Sequence, residues 1–321
     1  MLSRKSRKAV AQGVSHDAGL ASPLSFETLF DPAFLAALAP FSLRIDKAQK
    51  GGRLADQKTP ARGQGSEFAD FKPYVAGDDL RAIDWNIYRR LGRVFVRVFE
   101  ERQDMPVYFL VDRSRSLYVE SPPRIHAALR ATLALAAVAL DQHDSVGLFP
   151  FSEDMSIQFK AVSGKGNVVR VARSLADYQA MGGTALAAAL THLSGLRLRQ
   201  GLVVVISDFF DPAGVDTVVQ ALERLPHKVL LVQLTKPYDA DPALNPELVG
   251  DVLIEDGETP ARTALTITPE LTARYKAAYA AFNKALTNFA EGRGAGLVRI
   301  DADRPVLDQL SALFGVGGAR L

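Results

Sequence analysis

The 321-residue chain has no cysteine. Disulfides, iron–sulfur clusters, thiolate zinc sites and cysteine nucleophiles are therefore excluded. Charge of one sign is also lacking: 38 Lys and Arg stand against 36 Asp and Glu, a net of +2. That balance argues against a dedicated nucleic-acid coat or a polybasic membrane protein. Long apolar runs are missing too. The longest, Ala131 to Leu140, spans ten residues and contains Thr132, whereas a membrane span takes about 20. The start, MLSRKSRKAV, is basic, but no apolar signal core follows it. These absences predict a cytoplasmic protein without a membrane span. An amphipathic transit peptide over residues 1–15 is the alternative reading.

What is present reads as globular. Hydrophobic residues make up 48 % and charged residues 23 %, ordinary usage that excludes wholesale disorder. The length suggests about two domains, and the charge divides the chain in the same way. Residues 1–104 carry 17 basic against 13 acidic residues, and residues 105–321 carry 21 against 23.

Residues 105–321 alternate short apolar runs with helical patterns. Met105–Val111, Ser145–Phe149, Ser156–Phe159, Gly201–Ile206, Val229–Leu234, Val252–Glu255 and Gly296–Ile300 read as strands. Helices are expected after Pro122-Pro123, from Gly183 to Leu193, Val215 to Leu225, Pro269 to Ala290 and Val306 to Leu313. Continuous apolar strands alternating with helices signify an α/β fold, a largely parallel sheet covered on both faces. The consecutive strands around Glu153 imply one antiparallel edge.

Residues 1–104 lack this rhythm. Residues 1–24 are expected to be a flexible basic N-terminus and 25–104 a separate N-terminal subdomain. Within it, Ser25 to Ala39 suggests a short helix interrupted at Pro32. Leu43 to Arg62 holds six basic residues against two acidic ones around Gly51-Gly52, and reads as an exposed loop. This stretch lacks the interleaved aromatics of a nucleic-acid surface, so no nucleic acid is expected.

In a parallel α/β sheet, ligands bind beyond the carboxyl ends of the strands. Three polar clusters fall there: Asp112-Arg113-Ser114-Arg115-Ser116 after the first strand, Gly182-Gly183-Thr184 before a helix, and Ser207-Asp208 after the strand GLVVVI. Together they offer two carboxylates and three hydroxyls. Mg2+ takes six hard oxygens at about 2.0–2.1 Å and usually keeps waters. The plainer reading is that Asp, Ser and Thr only cap helices and turns.

The order D-x-S-x-S, a loop threonine, then an aspartate after an apolar strand resembles the metal-ion-dependent adhesion site of von Willebrand factor type A domains. The resemblance implies a Rossmann-like domain with a six-stranded, mostly parallel sheet over residues 105–321. It implies Mg2+ or Mn2+, with Ser114, Ser116 and Thr184 as direct ligands and Asp112 and Asp208 acting directly or through water. It also implies an open coordination position for an acidic residue of a protein partner. Arg113 and Arg115 depart from the small or neutral residues usual between those ligands. Facing the ion, they would weaken its binding or abolish it, and would themselves attract an acidic partner.

A second pattern lies upstream. Gly65-Ser66-Glu67-Phe68, Tyr74-Val75-Ala76-Gly77-Asp78-Asp79, Arg81-Ala82-Ile83-Asp84-Trp85 and a basic strand ending Phe99-Glu100-Glu101 resemble the hallmark of the bacterial domain-of-unknown-function family number fifty-eight. In that family a von Willebrand-like domain follows, as here. The resemblance implies a MoxR-type AAA+ ATPase as partner, in assembly or maturation of other proteins. From the residues themselves, Gly77 suits a tight turn. Asp78, Asp79, Arg81 and Asp84 suit a local ion-pair and capping network. Trp85 with Phe68, Phe71 and Tyr74 is expected in a core.

Other signals fail. His16, His126, His143, His192 and His227 are scattered, without H-E-x-x-H spacing. Ser163-Gly164-Lys165-Gly166 is no P-loop, and no G-x-S-x-G elbow exists. The sequence therefore reads as a non-catalytic, metal-dependent interaction module. The alternatives are a metal-free scaffold and a metal-dependent hydrolase using Asp112 and Asp208.

Overall fold

The structure, a computed structural model, describes residues 25–51, 67–100, 104–259 and 261–314. The expected flexible N-terminus, and residues 52–62 of the expected basic loop, lie outside the described residues. The chain divides into two compact units, one formed by residues 1–48 and 106–321 and the other by residues 49–105.

Helix α1 (Phe26–Leu29) starts where the Ser25 hydroxyl accepts the Thr28 N–H, and α2 follows over Pro32–Gly51. Pro32 opens α2, since a first-turn proline lacks only an N–H with no intrahelical partner. The break expected there is thus a boundary between two helices. The expected loop from Leu43 is helical backbone as far as Gly51.

The unit of residues 49–105 is small. Strand β1 (Glu67–Pro73) pairs antiparallel with β2 (Phe95–Glu100). Between them sit a 3-10 turn over Leu80–Ala82 and helix α3 (Trp85–Leu91). The acidic motif holds these pieces. Asp78 accepts the Val75 N–H and pairs with Lys72 at 2.5 Å. Asp79 accepts the Arg81 N–H. Asp84 caps α3 through the N–H groups of Asn86 and Ile87 and pairs with Arg97 at 3.2 Å. Trp85 corrects the expectation of a core residue. It is 61 % exposed at the first turn of α3, edge-to-face with Tyr88. Two strands and one short helix have too little apolar surface to enclose it, and among the described residues only Ile83 and Val96 are buried there.

The larger unit is built on β3 (Pro106–Asp112), β4 (Ser145–Phe151), β5 (Phe159–Ser163), β6 (Leu202–Ser207), β7 (Lys228–Thr235) and β10 (Gly296–Asp301), in the order β10-β7-β6-β3-β4-β5. All neighbours are parallel except β4 and β5. This is the six-stranded α/β sheet with one antiparallel edge that was expected. The edge strand lies three residues later than Ser156–Phe159. Strands β3 and β4 are buried throughout, which is why they read as unbroken apolar runs. On β3, Val107, Phe109 and Val111 face one cluster, while Tyr108 and Leu110 face the other.

A short helix α4 (Ser116–Val119) precedes α5 (Arg124–Asp141). Helices α5, α6 (Val168–Ala176) and α11 (Val306–Phe314) cover the first face, while α7 (Leu186–Gly195), α8 (Val215–Glu223) and α10 (Pro269–Arg293) cover the second. Leu29, Phe30, Phe34, Leu38 and Phe41 of α1 and α2 are buried in the first of these cores, beside α5 and α6. Residues 25–104 are therefore not one subdomain. Their first helices belong to the larger unit because their apolar positions complete its core. Helix α9 is a single turn, Pro237–Ala240. Strands β8 (Gly250–Glu255) and β9 (Arg262–Ile267) form a separate antiparallel pair.

Candidate metal centre

The clusters Asp112 to Ser116, Gly182 to Thr184 and Ser207-Asp208 meet at the carboxyl ends of β3 and β6. Asp112 is the last residue of β3 and fully buried. Its two oxygens accept from the Ser114 N–H at 2.8 Å and the Ser207 hydroxyl at 2.6 Å. Ser114 is also fully buried, and its hydroxyl lies 3.1 Å from that of Ser116. Thr184 precedes α7 and is buried. Asp208 follows β6 and accepts the Phe210 N–H at 3.1 Å. Between them Phe209 is fully buried at φ +65°, a left-handed conformation that costs a bulky side chain energy. The Ser207 hydroxyl accepts its N–H and holds it there.

Burial pushes the Asp112 carboxyl well above the usual carboxylate range, against the hydrogen bonds from Ser207 and Ser114. Burial and then the charge of Asp112 push Asp208 in the same direction. Among the described residues, no group of three or more His, Asp or Glu side chains is placed to hold a metal on its own. An ion here would rest on hydroxyls as much as on carboxylates. All donors are oxygen, which suits a hard divalent cation. A divalent charge would offset the burial that raises both carboxyls. The residues present fit such an ion.

The two arginines of this cluster have different surroundings. Arg113 turns inward: its Nε is buried, and its charge acts on Tyr118 and Tyr178 in the core of the first face. Arg115 is partly buried, and its N–H donates to the Gly182 carbonyl. Asp211 caps the start of α7 through the Ala187 N–H, and Glu153 accepts the Gly183 N–H at 3.1 Å.

Sequence reasoning missed the third carboxylate. Glu258, between β8 and β9, accepts the Thr184 hydroxyl at 2.5 Å and the Thr184 N–H at 3.0 Å. It also accepts the Ser116 hydroxyl at 3.2 Å. Its local sequence offers no more than Asp256-Gly257, a turn-forming pair after the strand read over Val252–Glu255.

The chain is similar over part of its length to several known proteins. An uncharacterized protein of Mycobacterium tuberculosis, Rv1480, is 27 % identical over 279 residues, covering 85 % of this chain and 86 % of that protein. Among solved structures, the conserved hypothetical protein BatB of Bacteroides thetaiotaomicron aligns over 65 % of this chain and 96 % of its own, at 17 % identity and a TM-score of 0.37. Manganese-loaded TRAP protein of Plasmodium vivax aligns over 41 % of this chain and 57 % of its own, at 19 % identity and a TM-score of 0.31. The family model described as "Protein of unknown function DUF58" matches residues 70–285, about two thirds of the chain, from the capping motif through the candidate centre to α10. The chain belongs to the DUF58 family.

Proposed function

We propose that this protein is a non-catalytic, metal-dependent interaction module. Asp112, Ser114, Ser116, Thr184 and Asp208 hold Mg2+ or Mn2+, and the ion accepts a carboxylate from a protein partner. The observation that carries the reading is the meeting of these five oxygen-bearing residues at two parallel strand ends, with their carboxylates buried. When bound, the ion supplies a positive centre that makes recognition of a carboxylate strong and selective over an amide. The protein's residues do the rest: Ser207 orients Asp112, the strained Phe209 fixes Asp208, and Arg115 is left as the arginine suited to steering an acidic surface. A MoxR-type AAA+ ATPase, working in assembly or maturation of other proteins, is the partner class that the family resemblance favours.

The hydrolase reading has less support: the hydroxyls of Ser114, Ser116 and Thr184 are assigned to the ion, and their bonds run to one another and to Glu258 rather than to a histidine or lysine base. The metal-free scaffold has one observation in its favour. Asp112 and Asp208 each accept an N–H two residues onward, as turn-capping aspartates do. Metal titration separates the two. A ligand of the folded state stabilises it by about 2.7 kcal/mol at one hundred times its Kd. Excess Mg2+ should therefore raise the Tm of the wild type by several degrees and leave Asp112→Ala unmoved. An equal response in both proteins, or none, would leave the scaffold.

A further inference from the structure

We infer that the chain carries its own ligand for this centre: Glu258, on the tip between β8 and β9, occupies the position that a partner's carboxylate takes. The inference rests on the function proposed above and names the regulation and ligand class of that same site. Its starting point is placement. Glu258 touches two of the three hydroxyls assigned to the ion, those of Ser116 and Thr184, together with the Thr184 N–H. An incoming carboxylate that completed the ion's coordination would meet the same groups.

The tip is shaped for this approach. A Cβ on Gly257 would lie 3.3 Å from both Cα and Cβ of Ser116, and one on Gly183 would lie 3.0 Å from Oε2 of Glu258. A side chain at either glycine would therefore press on its neighbour, Ser116 in the case of Gly257 and the carboxylate itself in the case of Gly183. Asp256 presets the turn by accepting the N–H groups of Glu258 and Thr259 at 2.8 and 2.9 Å.

The same tip is weakly tethered. Strands β8 and β9 pair with each other and with no third strand among the described residues. Along both, only Val252 and Ile267 are even partly buried. An isolated two-stranded pair is marginal in water, and segments with few buried contacts open first. The geometry therefore describes a closed state, in which the chain ligates itself, and an open state that a partner selects. The partner's matching feature is a glutamate on a tight turn, preceded by glycine. Self-ligation reduces the apparent affinity of such a ligand by the fraction of molecules that are open.

The test uses the full chain and a four-residue probe of the tip sequence, acetyl-Asp-Gly-Glu-Thr-amide, with a probe carrying Gln in place of Glu as control. Mn2+ bound to the protein broadens the proton signals of any peptide held beside it, so one titration followed by NMR reads both ion and ligand. With Mn2+ present, Glu258→Ala should bind the Glu probe about tenfold more tightly than the wild type does, and the Gln probe should bind neither. Glu258→Gln, which keeps the size of the side chain, should fall on the side of Glu258→Ala. Equal binding of the Glu probe by all three proteins, with Mn2+ bound, would overturn the inference and leave the metal reading standing. No Mn2+ binding by the wild type would remove the metal reading and this inference with it.

Discussion

The two units of this chain are stabilised by different means. In the larger one, Phe109, Leu110, Val204, Val205 and Leu231 lie on central strands and are almost wholly inaccessible to water. Helices cover both faces, and hydrophobic burial dominates its stability. In the unit of residues 49–105, Val75, Leu80, Trp85 and Leu91 are each more than 60 % exposed. What fixes that unit's shape is a set of short polar contacts: Lys72 with Asp78, Asp79 on the 3-10 turn, and Asp84 on α3 and Arg97. The lesson is that a string of residues resembling a family hallmark can encode turns and caps as readily as a core or a binding site.

The larger unit also contains the most sensitive polar contact, and breaking it should give the largest effect. Arg124 is 5 % exposed at the start of α5. It makes two bonds to Asp239, at 2.5 and 2.6 Å, and two to Glu120, at 2.8 and 2.9 Å. Lys236 joins through Glu120 and Asp303. Asp239 is itself buried, so removing its partner strands a carboxylate away from water. Arg124→Met should lower stability by about 3–5 kcal/mol, read by urea unfolding. Most of that loss should be recovered in an Arg124→Met, Asp239→Leu double variant, because the stranded charge is then gone. A double variant as unstable as the single one would show that the helix start, rather than the charge, is what the arginine supports.

A smaller effect tests the other side of the comparison. If caps govern the small unit, Asp84→Ala should cost it about 1 kcal/mol, the usual value of an N-cap. Trp85→Ala, next to it, should change stability by less than about 0.5 kcal/mol, as exposed positions do. Hydrogen exchange of the α3 amides in each variant reads the local cost. The reverse order would mean that Trp85 is covered by something that its exposure does not reveal.

This contrast also explains what was legible in the sequence. Fully buried parallel strands announce themselves, so β3, β6 and β7 were read to within a residue or two, as was their alternation with helices. The five residues of the candidate centre were legible because each follows a strand or precedes a helix that was. Helix α6 was missed because Val168, Val169 and Val171 are β-branched and weak helix formers on their own; its burial against α5 decides. The β8–β9 pair was half-read, because its strands are exposed and carry little apolar pattern. Glu258 was not legible at all. Its role depends on a contact with Thr184, 74 residues away in sequence, and no local pattern encodes such a distance. The inward turn of Arg113 was hidden for the same reason: what surrounds it is set by Tyr118 and Tyr178.

The smallest expected effect concerns acid, since a single proton is at stake. None of the five histidines lies within residues 49–105, so histidine titration touches only the larger unit or its N-terminus. His227 is 4 % exposed, and its Nδ1 accepts the Gly201 N–H at 3.3 Å. Burial lowers its pKa from the ordinary histidine value of 6.5. The folded state therefore resists a proton that the unfolded chain accepts. Stability is fully present above about pH 6.5 and declines as pH falls below it toward the folded value. Asp112 and Asp208 act in the opposite sense, because their raised values let the folded state take up protons before the unfolded chain does. The net slope of the wild type is thus a poor measure, and the difference between proteins is the useful one. His227→Gln keeps a side-chain acceptor and removes the titration. Between pH 7.5 and 5.5, without added metal, the wild type should lose stability relative to His227→Gln, measured as the gap between their urea midpoints. A gap that stays constant across that range would show that His227 takes its proton as readily in the folded protein as in the unfolded chain.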